Sequence, residues 1–314
     1  MVHITKDSKF FFESARFPIF IYGCTVLGKH LADLMARCGL QVGGFIDRSR
    51  TALGKSFWGV RVITKEEMIK LYSVDVYNII ITVTDINSVL LDFWNMETEN
   101  NYNMLVPKQF DNGNFNSNVL LAPLRNRLLI NKNVTIVSNN CSDRLIYDAI
   151  GIPINQRPPF CLAGLCEEDF VKLAEKFSYY AGKMPEYNRT EYRGLTIRKD
   201  AVYPVGKLDD IFMHFVHEDE WESVLRKWNK TRENINENNV FYIFSDFQRP
   251  IKYVTLKKFS DLPVNKCILL SKTMYCLPGV NYSAPEMDFL FDGSFIIEEV
   301  LDLIGWLNGK YQFA

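Results

Sequence analysis

The chain has 314 residues, with 36 Lys and Arg against 37 Asp and Glu, so its formal net charge of −1 excludes a global pull toward nucleic acid or an anionic membrane. That length buries a sizeable core and suggests about two domains. The 23 Phe and 15 Tyr read as filling for α/β cores, and seven Cys without framework spacing exclude a disulfide scaffold.

The opening residues, MVHITKDSKFFFESARF, lack the apolar run and small-residue cleavage site of a secretory signal. No stretch reaches transmembrane length, and FIIEEVLDLIGWL carries Glu298, Glu299 and Asp302, as an amphipathic terminal helix does. The expected compartment is the cytosol. In chain order, PIFIYG reads as a strand, GKHLADLMARCG as an amphipathic helix with a glycine stop, and LQVGGFID as the returning strand of a βαβ unit. GVRVI is a short strand, TKEEMIKLY opens on a Thr64 cap, VYNIIITVT is the apolar run of a central parallel strand, and INSVLLDFWNM is helical. KQFDNGNFNSN, rich in Asn and Gly, is the linker candidate.

Beyond it VLLAPLRNRLLI is helical, NVTIVS a strand, and DRLIYDAIG a helix stopped at Gly151. EEDFVKLAEKFSYYAG is a long helix, and LTIRKDAVYPVGKLDDIFMHFVH is mostly extended with a turn at Pro204 to Lys207. EWESVLRKWNKTRENI and VTLKKFSDL are helical, NNVFYIFSD and NKCILLSK are strands, and GSFIIEEVLDLIGWLNG is a closing helix. The expected architecture is α/β in two domains. Residues 1–115 form a Rossmann-like, mostly parallel sheet flanked by helices, and residues 116–314 a mixed or parallel sheet with helices.

In the first domain Gly23 and Gly28 occupy the outer glycine positions of a dinucleotide fingerprint, while Thr25 stands where the middle glycine admits a pyrophosphate. Read as a P-loop, the same stretch fails at His30, where a magnesium-binding hydroxyl should follow Lys29. Asp47, 24 residues after Gly23, stands where a carboxylate would accept ribose hydroxyls, and that favours the dinucleotide template; the alternative is a turn residue opening DRSR. A nucleotide or nucleotide-sugar is therefore the cofactor expected at Gly23, Thr25, Gly28 and Asp47.

In the second domain Ser138-Asn139-Asn140-Cys141 links a strand to a helix, so its amides converge at the carboxyl end of a sheet strand. Asn139 and Asn140 either shape the turn or orient a sugar or phosphate. Cys141, at the helix start, is either a packed thiol or a nucleophile whose pKa the helix lowers. His214 and His217 are three apart on an alternating strand, so they face opposite sides and no metal is assigned; His217, beside Glu218 and Asp219, is a candidate acid or base. Lys207 is the candidate phosphate cation. Asp246 and Lys272 end two further strands; if those strands run parallel beside NVTIV, they line one crevice with Asn139, Asn140 and Cys141.

Two resemblances add to this reading. The first hundred or so residues, with IYG, a helix and GFID, are similar to N-terminal domains that bind nucleotide sugars or sugar substrates in bacterial polysaccharide enzymes. TIVSNNC, YPVGKLDDI, HFVH, KWNKTRENIN and FSD, in that order from Arg125 to Lys272, resemble a bacterial domain of unknown function labelled as an exopolysaccharide biosynthesis protein. Ser142 and Asp143 depart from the residues expected after SNNC. The second resemblance implies a genomic association with surface polysaccharide assembly and no established reaction; the leading expectation is a transferase or modifying enzyme of that biosynthesis, acting on a nucleotide-sugar or lipid-linked sugar, with other enzymes of that assembly as partners. A non-catalytic sugar- or nucleotide-binding scaffold and an NAD-dependent sugar oxidoreductase are the alternatives, though no Tyr-x-x-x-Lys pair supports the last.

Overall fold

A computed structural model describes residues 1–49, 52–95, 100–108, 116–161, 163–192, 202–246, 250–270, 281–283 and 296–310. The protein is mixed α/β and divides into two compact units, Met1–Leu128 with Phe291–Glu298, and Leu129–Leu290 with Glu299–Ala314.

In the first unit the elements are β1 (Val2–Thr5), α1 (Ser8–Ser14), β2 (Ile19–Tyr22), α2 (Val26–Arg37), β3 (Val42–Ile46), β4 (Ser56–Phe57), β5 (Val60–Ile63) and α3 (Lys65–Leu71). β6 (Val76–Ile81), α4 (Ile86–Trp94), β7 (Asn101–Leu105) and α5 (Ser117–Leu128) follow. The sheet order is β1-β7-β6-β2-β3-β5-β4, parallel except for the β4–β5 pair. Counted from β2, the five central strands run 3-2-1-4-5, the doubly wound order, whose switch point falls between β2 and β6. Both faces of such a sheet are covered, so its strands are apolar runs: Ile19–Tyr22 and Ile79–Ile81 are all buried.

Helix starts follow the sequence. Thr64 and Glu67 close a capping box, and Asp7, Thr25 and Asp85 each accept a backbone N–H of their own first turn. Most of the linker candidate, residues 109–115, lies outside the described residues. The helix after it, α5, belongs to the first unit, with Leu120, Leu121 and Leu124 in that unit's core. Within α5 the fully buried Arg125 meets Glu298 through two bonds of 2.7 and 2.5 Å. Removing either partner leaves a charge without compensation in low dielectric, at about 3–5 kcal/mol.

The second unit contains β8 (Thr135–Ser138), α6 (Ser142–Ala149), α7 (Glu167–Glu175), α8 (Phe177–Ala181), β9 (Glu186–Tyr192), β10 (Val202–Leu208), β11 (Ile211–His214) and α9 (Trp221–Thr231). It continues with β12 (Val240–Ser245), α10 (Tyr253–Ser260), β13 (Asn265–Leu270), β14 (Asn281–Ser283) and α11 (Leu303–Leu307). One sheet, β14-β13-β12-β8, is wholly parallel, and the other, β11-β10-β9, is antiparallel. Phe170, Phe244 and Phe259 form a mutual ring cluster at the centre of the unit, with centroids 4.9 to 5.4 Å apart.

Two local readings change. The chain reverses at Asp209 and Asp210, not at Pro204 to Lys207, because Asp209 takes the left-handed conformation with φ 58° that joins Leu208 to Ile211. Pro204 lies in β10 beside an irregularity at Val205/Gly206, where the missing N–H is tolerated. The closing helix is also interrupted. A 3-10 turn at Ile297–Glu299 precedes α11, whose start is set by Asp302 accepting the Gly305 N–H at 3.0 Å. Among the described residues no helix is long and apolar enough to cross a membrane.

Candidate active site

The turn after β2 stands at the switch point, where an open α/β sheet usually binds ligands. Gly23 has φ 108°, and a Cβ there would lie 2.4 Å from Val83. Gly28 packs so closely that a Cβ would meet the Gly23 carbonyl at 2.8 Å. The polar groups, however, are already engaged. Asp47 accepts the Cys24 N–H at 3.0 Å on one oxygen and the Ser49 N–H at 2.8 Å on the other. Its carboxylate therefore holds the turn itself, the alternative that the sequence left open.

Thr25 accepts the Gly28 N–H at 3.0 Å and donates to Thr82 at 3.1 Å, which in turn donates to the Tyr22 carbonyl at 2.9 Å. This chain joins the mouths of β2 and β6. Arg48 adds a second tie, donating to Tyr22 Oη at 2.7 Å and Ser88 at 2.8 Å and pairing with Asp92 at 2.7 Å. Lys29 lies over the exposed Trp58 ring, 3.9 Å from its centroid.

The turn after β8 is built differently. β8 and β13 flank β12, all parallel, so their carboxyl ends share one edge of the sheet. Ser138 pairs with Ile243, which places Asn139 and Asn140 against Ser245. The Asn139 amide donates to the Ser245 carbonyl and accepts its N–H, both at 2.9 Å, so a side chain supplies the next rung of the ladder. Asn140, buried, donates to the Ser245 hydroxyl at 2.8 Å and accepts the Ser142 N–H at 3.0 Å. Ser138 donates to the Asn140 carbonyl and accepts the Asp143 N–H at 3.1 Å. The two asparagines thus position the turn. Ser245, Ser142 and Ser138 complete this network; the sequence offered Ser138 only as part of SNNC, Ser142 only as a departure from the family pattern, and Ser245 only within the FSD stretch.

The network presents Cys141. Its Sγ lies 3.1 Å from Nε2 of His217, which is exposed in the turn that follows β11. Two residues proposed separately, 76 apart in sequence, form one thiol–imidazole pair. The expected lowering of the thiol pKa is corrected: burial, and next the Asp143 carboxylate, push it up to about 12. Cys141 is the N-cap of α6 and makes no side-chain cap bond, and the N–H groups of Ser142, Asp143 and Arg144 are bonded within the turn. Little of the helix's positive end is left to stabilise a thiolate. The resting thiol is protonated, with the His217 imidazole beside it to take the proton in a reaction.

The other predicted residues fall elsewhere. Asp246, at the end of β12, is fully buried and does not reach the surface, which leaves His217 as the accessible base. Lys207 is exposed on β10, opposite Phe212 and Glu186. Lys272 lies outside the described residues. A small cleft of about 20 Å³ opens beside the asparagines, with Leu165, Glu167, Pro250 and Ile251 in its wall. His214, half-buried, contacts Tyr203 at 3.2 Å and Glu191 at 3.3 Å. Among the described residues no cluster of three or more His, Cys, Asp or Glu side chains is arranged to hold a metal ion.

Comparison with known proteins adds two findings. The family profile described as a domain of unknown function, DUF1919, matches residues 95–285. An uncharacterized protein of Haemophilus influenzae is 25% identical over 186 residues, which cover 59% of this chain and 82% of that one.

Proposed function

The chain belongs to the DUF1919 family, and from that premise we propose that it is a cysteine-dependent transferase or modifying enzyme of bacterial surface polysaccharide biosynthesis, acting on a nucleotide-sugar or lipid-linked sugar. The observation that carries the chemistry is the 3.1 Å contact between Cys141 Sγ and His217 Nε2 at the carboxyl edge of a parallel sheet. The substrate class rests on the order of the TIVSNNC, YPVGKLDDI, HFVH and FSD motifs.

In the proposed cycle His217 accepts the thiol proton as Cys141 sulfur bonds to the electrophilic centre of the sugar substrate and the leaving group departs with its electron pair. His217 passes that proton to the departing group; an acceptor hydroxyl then attacks the same centre, giving its proton to His217, which returns it to the sulfur as the Cys141–substrate bond breaks. The Asn139 and Asn140 bonds to Ser245 hold the sulfur in place, and Lys207 is retained as a candidate phosphate cation. A second reading, a non-catalytic sugar-binding scaffold with a degenerate Rossmann-like nucleotide module, draws support from the internally bonded turn at Thr25.

Intact-mass spectrometry of the full chain incubated with a panel of nucleotide sugars, with nucleotide release followed in parallel, tests the proposal. It expects one donor to be consumed and a covalent adduct that maps to Cys141 and is absent from Cys141→Ala. Consumption that survives Cys141→Ala, or no consumption of any donor, sinks the enzymatic reading; binding without consumption supports the scaffold.

A further inference from the structure

The Cys141–His217 contact spans the start of α6 and the turn after β11, and His217 is exposed on that turn, so its imidazole reaches the sulfur only while the turn is held in place. The turn is closed by the Glu218 N–H, which donates to the Phe215 carbonyl at 3.0 Å and leaves His217 in the third position. Before His217 the chain is fixed by the core. Phe215 is buried, its ring centroid 6.0 Å from Trp221 and 6.4 Å from Trp228, and its N–H donates to the Pro204 carbonyl at 3.1 Å.

After His217 the fixing is polar. Glu218, its side chain 16% exposed, accepts the Ser223 hydroxyl on one carboxylate oxygen and the Lys227 ammonium at 3.4 Å on the other. Ser223 and Lys227 stand one turn apart on the same face of α9, and the buried Val224 and Trp228 seat that helix on the core. Glu218 lies two residues before the N-cap, Glu220, which makes no side-chain cap bond. A carboxylate serving only as a cap accepts backbone N–H groups of the first turn. This one also reaches side chains of the first and second turns, and so ties the His217 turn along the helix.

We propose that Glu218 is a positioning residue: held by Ser223 and Lys227, it fixes the turn that keeps the His217 imidazole at the Cys141 sulfur. This rests on the reading of Cys141 and His217 as nucleophile and base. Lys227 also bears on the thiol itself, because burial and Asp143 raise the Cys141 pKa while Arg144 and Lys227 oppose them. Glu218 and Ser223 are therefore the cleaner positions to change.

The test is the pH profile of Cys141 alkylation by iodoacetamide in the full chain, read by mass spectrometry of the Cys141 peptide. Near neutral pH the sulfur displaces iodide as its proton passes to His217 Nε2, whereas at high pH the thiol has already lost its proton to solvent. Wild type is expected to label on the order of tenfold faster than His217→Ala near pH 7. Glu218→Ala is expected to lose that advantage and keep the high-pH branch. Glu218→Gln, which retains an acceptor for Ser223, is expected to recover most of it. If folded Glu218→Ala melts lower yet labels as wild type does near pH 7, Glu218 only anchors α9 and the proposal is overturned. If wild type and His217→Ala label alike, the base reading fails and takes this proposal with it. Should Glu218→Ala fail to fold, Ser223→Ala, which removes one donor without altering charge, decides: an unchanged rate near pH 7 overturns the proposal.

Discussion

The turn after β2 and the turn after β8 face the same physical problem, a parallel strand running into a helix with unsatisfied N–H groups and a tight reversal between them. Unit one answers it with Thr25, bonded to Thr82 and capping the helix, and with Asp47, which accepts the Cys24 N–H. Unit two answers it with Ser138, Asn139, Asn140 and Ser245, and that network carries a thiol outward to an exposed imidazole. Both turns are rich in hydrogen bonds and both hold a cysteine, Cys24 in the first and Cys141 in the second, and the second sets its thiol 3.1 Å from an imidazole. Hydrogen bonding by itself therefore does not mark a turn as inert; what matters is whether the bonded groups are the reactive ones or their supports.

Four measurements break or sharpen this contrast. The largest effect is expected from Cys141→Ala, which should lower turnover of any consumed donor by about 10³-fold or more, with a melting temperature close to wild type, since an activated nucleophile is lost and its framework kept. Steady-state kinetics with calorimetric melting checks both halves of that statement. Next, Gly23→Ala should destabilise unit one by about 2–3 kcal/mol in urea titration, because it combines a positive φ with a clash against Val83. A neutral result there would remove the argument that the first turn is tightly closed.

Smaller is Thr25→Ala, expected to lose about 1 kcal/mol through the missing helix cap. Thr25→Ser should restore most of it. The smallest effect concerns pH. Burial and Asp143 raise the Cys141 thiol to about 12, above its unfolded value, so its contribution to stability is complete below the unfolded pKa near pH 9 and is lost as pH rises toward 12. Wild type should lose stability more steeply than Cys141→Ser between pH 9 and about 11. In the same window iodoacetamide labelling of Cys141 should keep accelerating, whereas a stored thiolate would label at a constant rate.

The fold was legible where one signal dominates. VYNIII and VFYIFS are apolar runs and became the strands β6 and β12, and the Thr64 cap is observed, with Glu67 completing a capping box that the sequence reading did not include. Short edge elements were not legible: β1 and β9 have mixed polarity, and their pairing comes from β7 and β10. The site was legible as a set of residue types and not as an arrangement. Cys141 and His217 each carried a chemical signal, but their contact depends on β11 returning across the unit, which no spacing encodes. Asn140 looked like a ligand group because buried and exposed amides are indistinguishable in a string of letters; only its bonds to Ser142 and Ser245 reveal a structural role.

The pairing of Arg125 with Glu298 bears on how the protein is made. A guanidinium buried in α5 finds its carboxylate 173 residues later, after nearly all of the second unit has been synthesised. At about 5–20 residues per second, the first unit emerges from a ribosome with that charge uncompensated for roughly ten to thirty seconds. A nascent chain arrested before Glu298 should therefore be more sensitive to protease in its first 128 residues than the finished protein.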